Sequence, residues 1–238
     1  MPGIDPDFLC HRMTMDNRIR PVVQRRRNFN EERRLVIKTE LQNLLNVIHI
    51  REIRYLEWLT NVVLVQKTND KWRMCVDFTD MNKACPKDSY PLPSIDSLVD
   101  SASGCRLLSF LDAFLGYNQI WMHPNDEDKH ASYCYKVMSF GLKNAGATYK
   151  RLMNMILAPM LRRNVQAYVD DMVVTFEEEK QHVADMEELF ETVCKYNMKL
   201  NTEKCVFGVE AGKFLGFMLT VLKMDEASSL PSFSVRLM

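Results

Sequence analysis

Three aspartates stand where a chemist would want a divalent cation. Asp170 and Asp171 interrupt Gln166-Ala167-Tyr168-Val169-Asp170-Asp171-Met172-Val173-Val174, a run otherwise apolar enough for buried strand. Apolar residues on both sides of a polar pair describe two short strands joined by a tight turn. Adjacent carboxylates repel each other, and burying them unpaired is costly, so the pair calls for a cation. The plain alternative is an ordinary turn, but turn chemistry draws on Gly or Asn and neither is present here. A second apolar strand, Leu107-Leu108-Ser109-Phe110-Leu111-Asp112, also ends in a carboxylate. Taken alone it reads as an ordinary strand end. Laid beside the first, it brings Asp112 to Asp170 and Asp171 at one end of a sheet. Three carboxylates make an oxygen-rich site for Mg²⁺, a hard cation that keeps several waters, with Mn²⁺ as a possible substitute. Two such ions could clamp the attacking and leaving oxygens of an in-line phosphoryl transfer.

The elements that must position these acids follow from pattern and punctuation. Asn28 with Glu31 predicts an N-cap pair, opening a helix that carries Leu35, Leu41, Leu44, Leu45 and Ile48 at helical spacing. Val62 to Val65 and Met74 to Phe78 predict a hairpin around residues 68–71. Pro86, Pro91 and Pro93 break the chain before a short helix from Ser94 towards Gly104. Asn144 predicts the cap of a helix through Met153, Ile156 and Leu157, with Pro159 bending or ending it. Residues 178–199 predict another helix, with Val183, Met186, Leu189, Phe190 and Val193 as its buried stripe. Helices on one face of a mainly antiparallel sheet, with acids at one end, describe an α+β fold.

Composition narrows the class. The 238 residues are nearly half apolar and carry no net charge, which suits a globular chain with a good core. No run of about eighteen apolar residues exists, so no membrane partner is expected. Seven scattered cysteines, none spaced as C-x-x-C, fit reduced thiols and argue against zinc. With no signal-type apolar segment, the expected location is cytoplasm or nucleus, without secretion. Arg18, Arg20, Arg25, Arg26, Arg27, Arg33 and Arg34 crowd one segment, as a phosphate-tracking patch or as a solvated arm. The acidic cluster from Glu177 to Glu191 reads as the wet face of a helix.

Several blocks, in order, carry a resemblance. Tyr168-Val169-Asp170-Asp171 resembles the YVDD box of reverse transcriptases, and Leu111-Asp112-Ala113-Phe114-Leu115-Gly116-Tyr117-Asn118-Gln119-Ile120 resembles their first catalytic block. Residues 72–88, Phe140-Gly141-Leu142-Lys143-Asn144-Ala145-Gly146-Ala147-Thr148-Tyr149, Tyr196 to Asn201 and Lys213-Phe214-Leu215-Gly216-Phe217 match the gypsy-type branch of LTR retrotransposons. The likeness implies a right-hand polymerase, with fingers up to about Asp88 followed by palm with a fingers insertion. It implies an RNA-directed DNA polymerase working on an RNA or DNA template with primer and on dNTPs. By the same resemblance, Arg73, Lys71 and Lys67 are expected at the triphosphate. A planar guanidinium fork suits that task, although an exposed strand cation is the bland reading of Arg73. Tyr117 is expected to exclude a 2′-hydroxyl, Phe140 and Gly141 to lie near template and nucleotide, and Phe214, Leu215 and Gly216 to grip the primer. Without the resemblance, Tyr117 and Phe140 are plain core aromatics.

The same likeness divides the chain into a polyprotein linker over 1–28, a fingers-palm domain over 29–220 and an unrelated tail over 221–238. Three departures stand out. Between Lys129 and Tyr133 relatives carry the rest of a strand and a turn, Ser139 replaces a proline before Phe140-Gly141, and no thumb, ribonuclease H or integrase region is recognised. The alternative expectation is therefore a catalytically silent retrotransposon remnant that at most binds nucleic acid. The oligomeric state is not legible.

Overall fold

A computed structural model describes residues 3–52, 57–66, 70, 72–102, 105–127, 133–161, 163–176 and 179–220. In chain order the elements begin with β1 (Cys10–His11), α1 (Glu31–Asn46), β2 (Ile50–Glu52), β3 (Val62–Gln66), β4 (Trp72–Val76) and α2 (Thr79–Ala84). The middle of the chain forms α3 (Ile95–Ser101), β5 (Leu107–Asp112), a 3₁₀ turn (Gly116–Gln119), β6 (Trp121–Met122), α4 (Pro124–Glu127) and β7 (Tyr133–Tyr135). Then come α5 (Ala145–Ile156), β8 (Val165–Tyr168), β9 (Asp171–Phe176), α6 (Glu179–Lys195), β10 (Val206–Val209), β11 (Ala211–Phe214) and β12 (Phe217–Thr220). They fall into two units, Met1–Tyr90 with Tyr117–Thr148, and Pro91–Gly116 with Tyr149–Met238.

The second unit is built on a four-stranded antiparallel sheet ordered β10-β5-β9-β8. Alternation puts Leu108 and Phe110 opposite Thr175 and Val173 on one face, and Ser109 and Leu111 opposite Val174 and Met172 on the other. Leu98 and Val99 of α3, its C-cap Ala102, and Phe214 and Leu219 of the β11–β12 hairpin pack with Leu108 and Val173. Towards the other face, His182 of α6 meets the ring of Phe176 at 4.0 Å and the Ser109 hydroxyl at 3.2 Å. The strand residues from Met172 to Phe176 are all buried as a result. Of the stripe expected on α6, Met186, Leu189 and Val193 are buried, whereas Val183 and Phe190 are largely exposed. Asp185 departs from the wet-face reading: it is buried and pairs with Arg163 at 3.4 Å.

The first unit differs from expectation at its start. Residues 1–28 read in sequence as a linker, yet Ile4, His11 and Met13 are buried. The Ile4 N–H donates to Gln119 O at 2.9 Å, β1 pairs in parallel with β6, and the Met13 N–H donates to Asp126 Oδ2 at 2.9 Å. Anchors spaced without helix or strand period leave no pattern to read, which is why the segment looks irregular. The cap of α1 is Asn30 rather than Asn28; its side chain accepts from the Arg33 N–H at 3.1 Å, with Glu31 and Glu32 favouring the helix N-terminus. No residue of α1 is buried, and Leu35 and Ile48 lie outside its half-buried face. Strands β3 and β4 pair antiparallel, as a hairpin requires, with Val65 opposite Arg73. Asn144 precedes α5, but its side chain accepts from the Asp88 N–H and donates to the Pro86 carbonyl, each at 3.0 Å. The basic cluster is partly neutralised: Arg18 pairs with Asp16, Arg27 with Asp77 and Arg34 with Glu31. Residues 128–132, in the stretch where relatives are longer, and the tail 221–238 lie outside the described residues. No helix among the described residues is long and apolar enough to cross a membrane.

Candidate active site

The carboxylates are placed by the sheet register. Asp112 is the last residue of β5 and Asp171 the first of β9, directly opposite each other. Opposed residues in an antiparallel pair have Cβ atoms about 4.5–5.5 Å apart and share a face. Tyr168 also pairs with Asp171, so the connecting turn is Val169-Asp170, one residue earlier than an Asp-Asp turn. The Asp170 carbonyl accepts from the Ala113 N–H at 2.8 Å, extending the ladder past Asp112. Val169 takes φ +52°, a left-handed backbone that suits glycine and not a β-branched residue. Strain of this kind costs on the order of 1–3 kcal/mol and gathers at functional sites.

Asp170 Oδ1 is buried without a hydrogen-bond partner. It occupies the space left by the missing side chain of Gly116: a Cβ there would collide with Asp170 Oδ1 and stand 2.9 Å from the Tyr149 hydroxyl. Burial, then the charges of Asp112 and Asp171, push the Asp170 carboxyl up to about 6, with Lys204 pulling the other way. Asp171 is raised by desolvation first and Asp112 second, against the same lysine. Its side chain is nonetheless exposed, so solvent screens much of that effect.

Two residues not expected at the site meet Asp112. Lys204 Nζ donates to Asp112 Oδ2 at 2.9 Å, and Asn201 Nδ2 donates to Oδ1 at 3.3 Å. Asn201 lies in the 196–201 block noted above, but a lysine in a polar turn gives no pattern to read. The donor set fits a hard divalent ion in chemistry: three carboxylates, one with an orphaned buried oxygen. It is not a finished cage, since among the described residues no three His, Cys, Asp or Glu side chains are arranged to hold a metal.

The remaining candidates fall in both units. Arg73 is exposed on β4; Lys67 and Lys71 lie outside the described residues. Tyr117 is half-buried in the 3₁₀ turn, its ring edge-on to Phe140 at 5.4 Å, while Phe140 is 62% exposed. Gly141 takes φ +100°, and its carbonyl accepts from Asn82 Nδ2 at 2.8 Å. Ser139 is buried, with its hydroxyl lacking a hydrogen-bond partner, as expected where a proline would need none. In the second unit Phe214 is buried, and Leu215-Gly216 turns β11 into β12.

A family model described as reverse transcriptase (RNA-dependent DNA polymerase) matches residues 65–219. The chain belongs to the reverse transcriptase family. Curated relatives include the retrovirus-related Pol polyprotein from transposon 297 of Drosophila melanogaster, 28% identical over 84% of this chain and 20% of the relative. The Pol polyprotein from transposon gypsy of the same fly is 28% identical over 64% of this chain and 15% of the relative. The transposon Tf2-3 polyprotein of Schizosaccharomyces pombe is 30% identical over 67% of this chain and 12% of the relative. The chain thus spans a fifth or less of the length of these relatives. In fold it matches the crystal structure of prototype foamy virus protease-reverse transcriptase, with TM-score 0.79, 21% identity and coverage of 93% of this chain and 30% of that one. The foamy viral protein in complex with RNA/DNA hybrid matches with TM-score 0.78 and 19% identity, over 89% of this chain and 29% of that one. This is the α+β fold expected from the sequence, shared with a reverse transcriptase. Reverse transcriptases generally use divalent metal ions.

Proposed function

We propose that this chain is the fingers and palm of an RNA-directed DNA polymerase, with the first unit as fingers and the second as palm. The observation that carries the reading is Asp112 opposed to Asp171, beside a strained turn that aims a buried, unsatisfied Asp170 oxygen. Mg²⁺ or Mn²⁺ held by Asp112, Asp170 and Asp171 would stabilise the charge on the attacking and leaving oxygens. Asp170 must give up its proton to serve, and its raised pKa makes that loss sensitive to pH below about 6. Arg73, with Lys67 and Lys71, would hold the triphosphate of a dNTP by charge-assisted hydrogen bonds. Tyr117 would close the space that a 2′-hydroxyl needs, backed by Phe140 and Gly141. Phe214, Leu215 and Gly216 would seat the primer. Template and primer are the remaining partners, as in the foamy viral complexes with RNA/DNA hybrid and with dsDNA. Cytoplasm or nucleus is the proposed location.

The test is extension of a DNA primer on an RNA template by the purified chain with dNTPs and Mg²⁺. Slow extension is expected, and Asp170→Asn should lower it at least about a thousandfold, equivalent to about 4 kcal/mol. Extension that survives Asp170→Asn and Asp112→Asn would overturn the assignment. Template binding without any extension would mark the silent remnant instead.

A further inference from the structure

Both oxygens of the Asp112 carboxylate are already engaged, by the Lys204 ammonium and the Asn201 amide. The two donors sit on one short turn that the strand end itself holds. Leu200 bridges to Ala113, the Asn201 N–H donates to the Asp112 carbonyl at 2.8 Å, and the Phe114 N–H donates to the Lys199 carbonyl at 2.9 Å. Within the turn, the Lys204 and Cys205 N–H groups both return to the Asn201 carbonyl, at 3.0 and 3.1 Å. Lys204 is therefore delivered to Asp112 by backbone geometry, unlike a surface lysine that finds a carboxylate by chance. Its charge also reaches Asp170 and Asp171, opposing the repulsion within the trio.

We propose that Lys204 is a resident counter-cation of the three aspartates, which a divalent ion must displace from Asp112, so that Lys204 sets how tightly the site takes its metal. The inference rests on the metal-holding reading of the aspartates and adds a residue that regulates it. The exchange is feasible because the Lys204 side chain is 62% exposed while that of Asp112 is 17% exposed. The ammonium can swing into water and keep its hydration, leaving Asp112 Oδ2 in place as a ligand. Solvent around the exposed lysine weakens the pair, so Lys204 tunes affinity and does not block the site. A lysine suits this better than an arginine, being a compact charge on a flexible stem without a bidentate hold.

The experiment titrates Mn²⁺ alone into the full chain and reads the free ion by electron paramagnetic resonance. Wild type, Lys204→Met, Lys204→Arg and Asp171→Asn are compared. Lys204→Met should bind Mn²⁺ about three- to fivefold more tightly at low salt, with the gain shrinking as salt rises. Lys204→Arg should lie at or below wild-type affinity. As a second readout, Lys204→Met should melt earlier than wild type in EDTA and gain more from added Mn²⁺. Equal or weaker Mn²⁺ binding by Lys204→Met, with wild type still binding better than Asp171→Asn, would overturn the role of Lys204 alone. Wild-type binding no tighter than that of Asp171→Asn would overturn the metal-site reading, and this inference with it.

Discussion

Two hairpins of the second unit turn in two residues but fill those residues differently. Between β11 and β12, Phe214 faces Phe217 and the turn is Leu215-Gly216, left-handed at both positions, with φ +52° and +88°. Between β8 and β9, Tyr168 faces Asp171 and the turn is Val169-Asp170, left-handed at Val169 alone. The first turn uses glycine at the position of largest φ, where no Cβ can object; the second contains no glycine at all. Glycine in this second case sits across the chain, at Gly116, where it makes room for the Asp170 carboxyl. The β11–β12 turn relieves its backbone at Gly216 alone. The turn bearing the carboxylate keeps its strain and borrows space from a neighbour, so that Asp170 is aimed.

Refilling the borrowed space should disturb this contrast most. Gly116→Ala puts a methyl where Asp170 Oδ1 now lies, so the carboxyl must rotate away from Asp112 and Asp171. A loss of about 1–3 kcal/mol in stability is expected from the overpacking, together with weakened Mn²⁺ binding. Denaturant midpoints and Mn²⁺ titration measure the two, and an unperturbed Mn²⁺ affinity would show that the aim of Asp170 is not set by Gly116.

Removing the charge should be next in size. The folded-state pKa of Asp170 lies near 6, above the ordinary value of 3.8. The folded protein therefore binds the extra proton between those values, and stability falls as pH rises through them. The penalty is fully present above about pH 6 and absent below about pH 4. Asp170→Asn should thus stabilise the metal-free protein by roughly 1–2 kcal/mol at pH 7, allowing for screening of a part-exposed group, and by little at pH 4. Unfolding curves in EDTA at both pH values decide it; a gain that grows towards low pH would have the wrong sign.

The smallest effect separates the turns themselves. Val169→Gly should relieve the left-handed valine and raise the melting temperature by about 2–4 °C, about 1 kcal/mol at this chain length. Leu215→Asn, which suits the first position of a turn left-handed at both residues, should gain less because a leucine is not β-branched. A greater rise from Leu215→Asn would mean that the larger strain resides in the β11–β12 turn.

The carboxylate site was legible because two apolar strands each end in aspartate, and period-two alternation then leaves few registers that bury both strands. The exact turn was not, since a valine in left-handed backbone contradicts the propensities by which turns are read. Lys204 was invisible for another reason. Its meaning depends on a backbone bridge between Leu200 and Ala113, a contact that no local pattern encodes. Helix α1 was legible in existence and off by two residues at its cap, because Asn28 and Asn30 are equally good candidates by type. Its apolar residues at helical spacing promised a burial that the structure leaves partial.

The packed N-terminal segment has a consequence in time. Ile4, Met13 and His11 take partners at Gln119, Asp126 and Thr148, the last two at separations of 113 and 137 residues. A ribosome adds roughly 5–20 residues per second. Ile4, His11 and Met13 must then wait about 6–27 s for the groups that receive them. During that interval Ile4 and Met13 are apolar groups with no core to join. Residues 4–13 are therefore made well before the groups they pack against, and their exposure during synthesis is governed by translation speed.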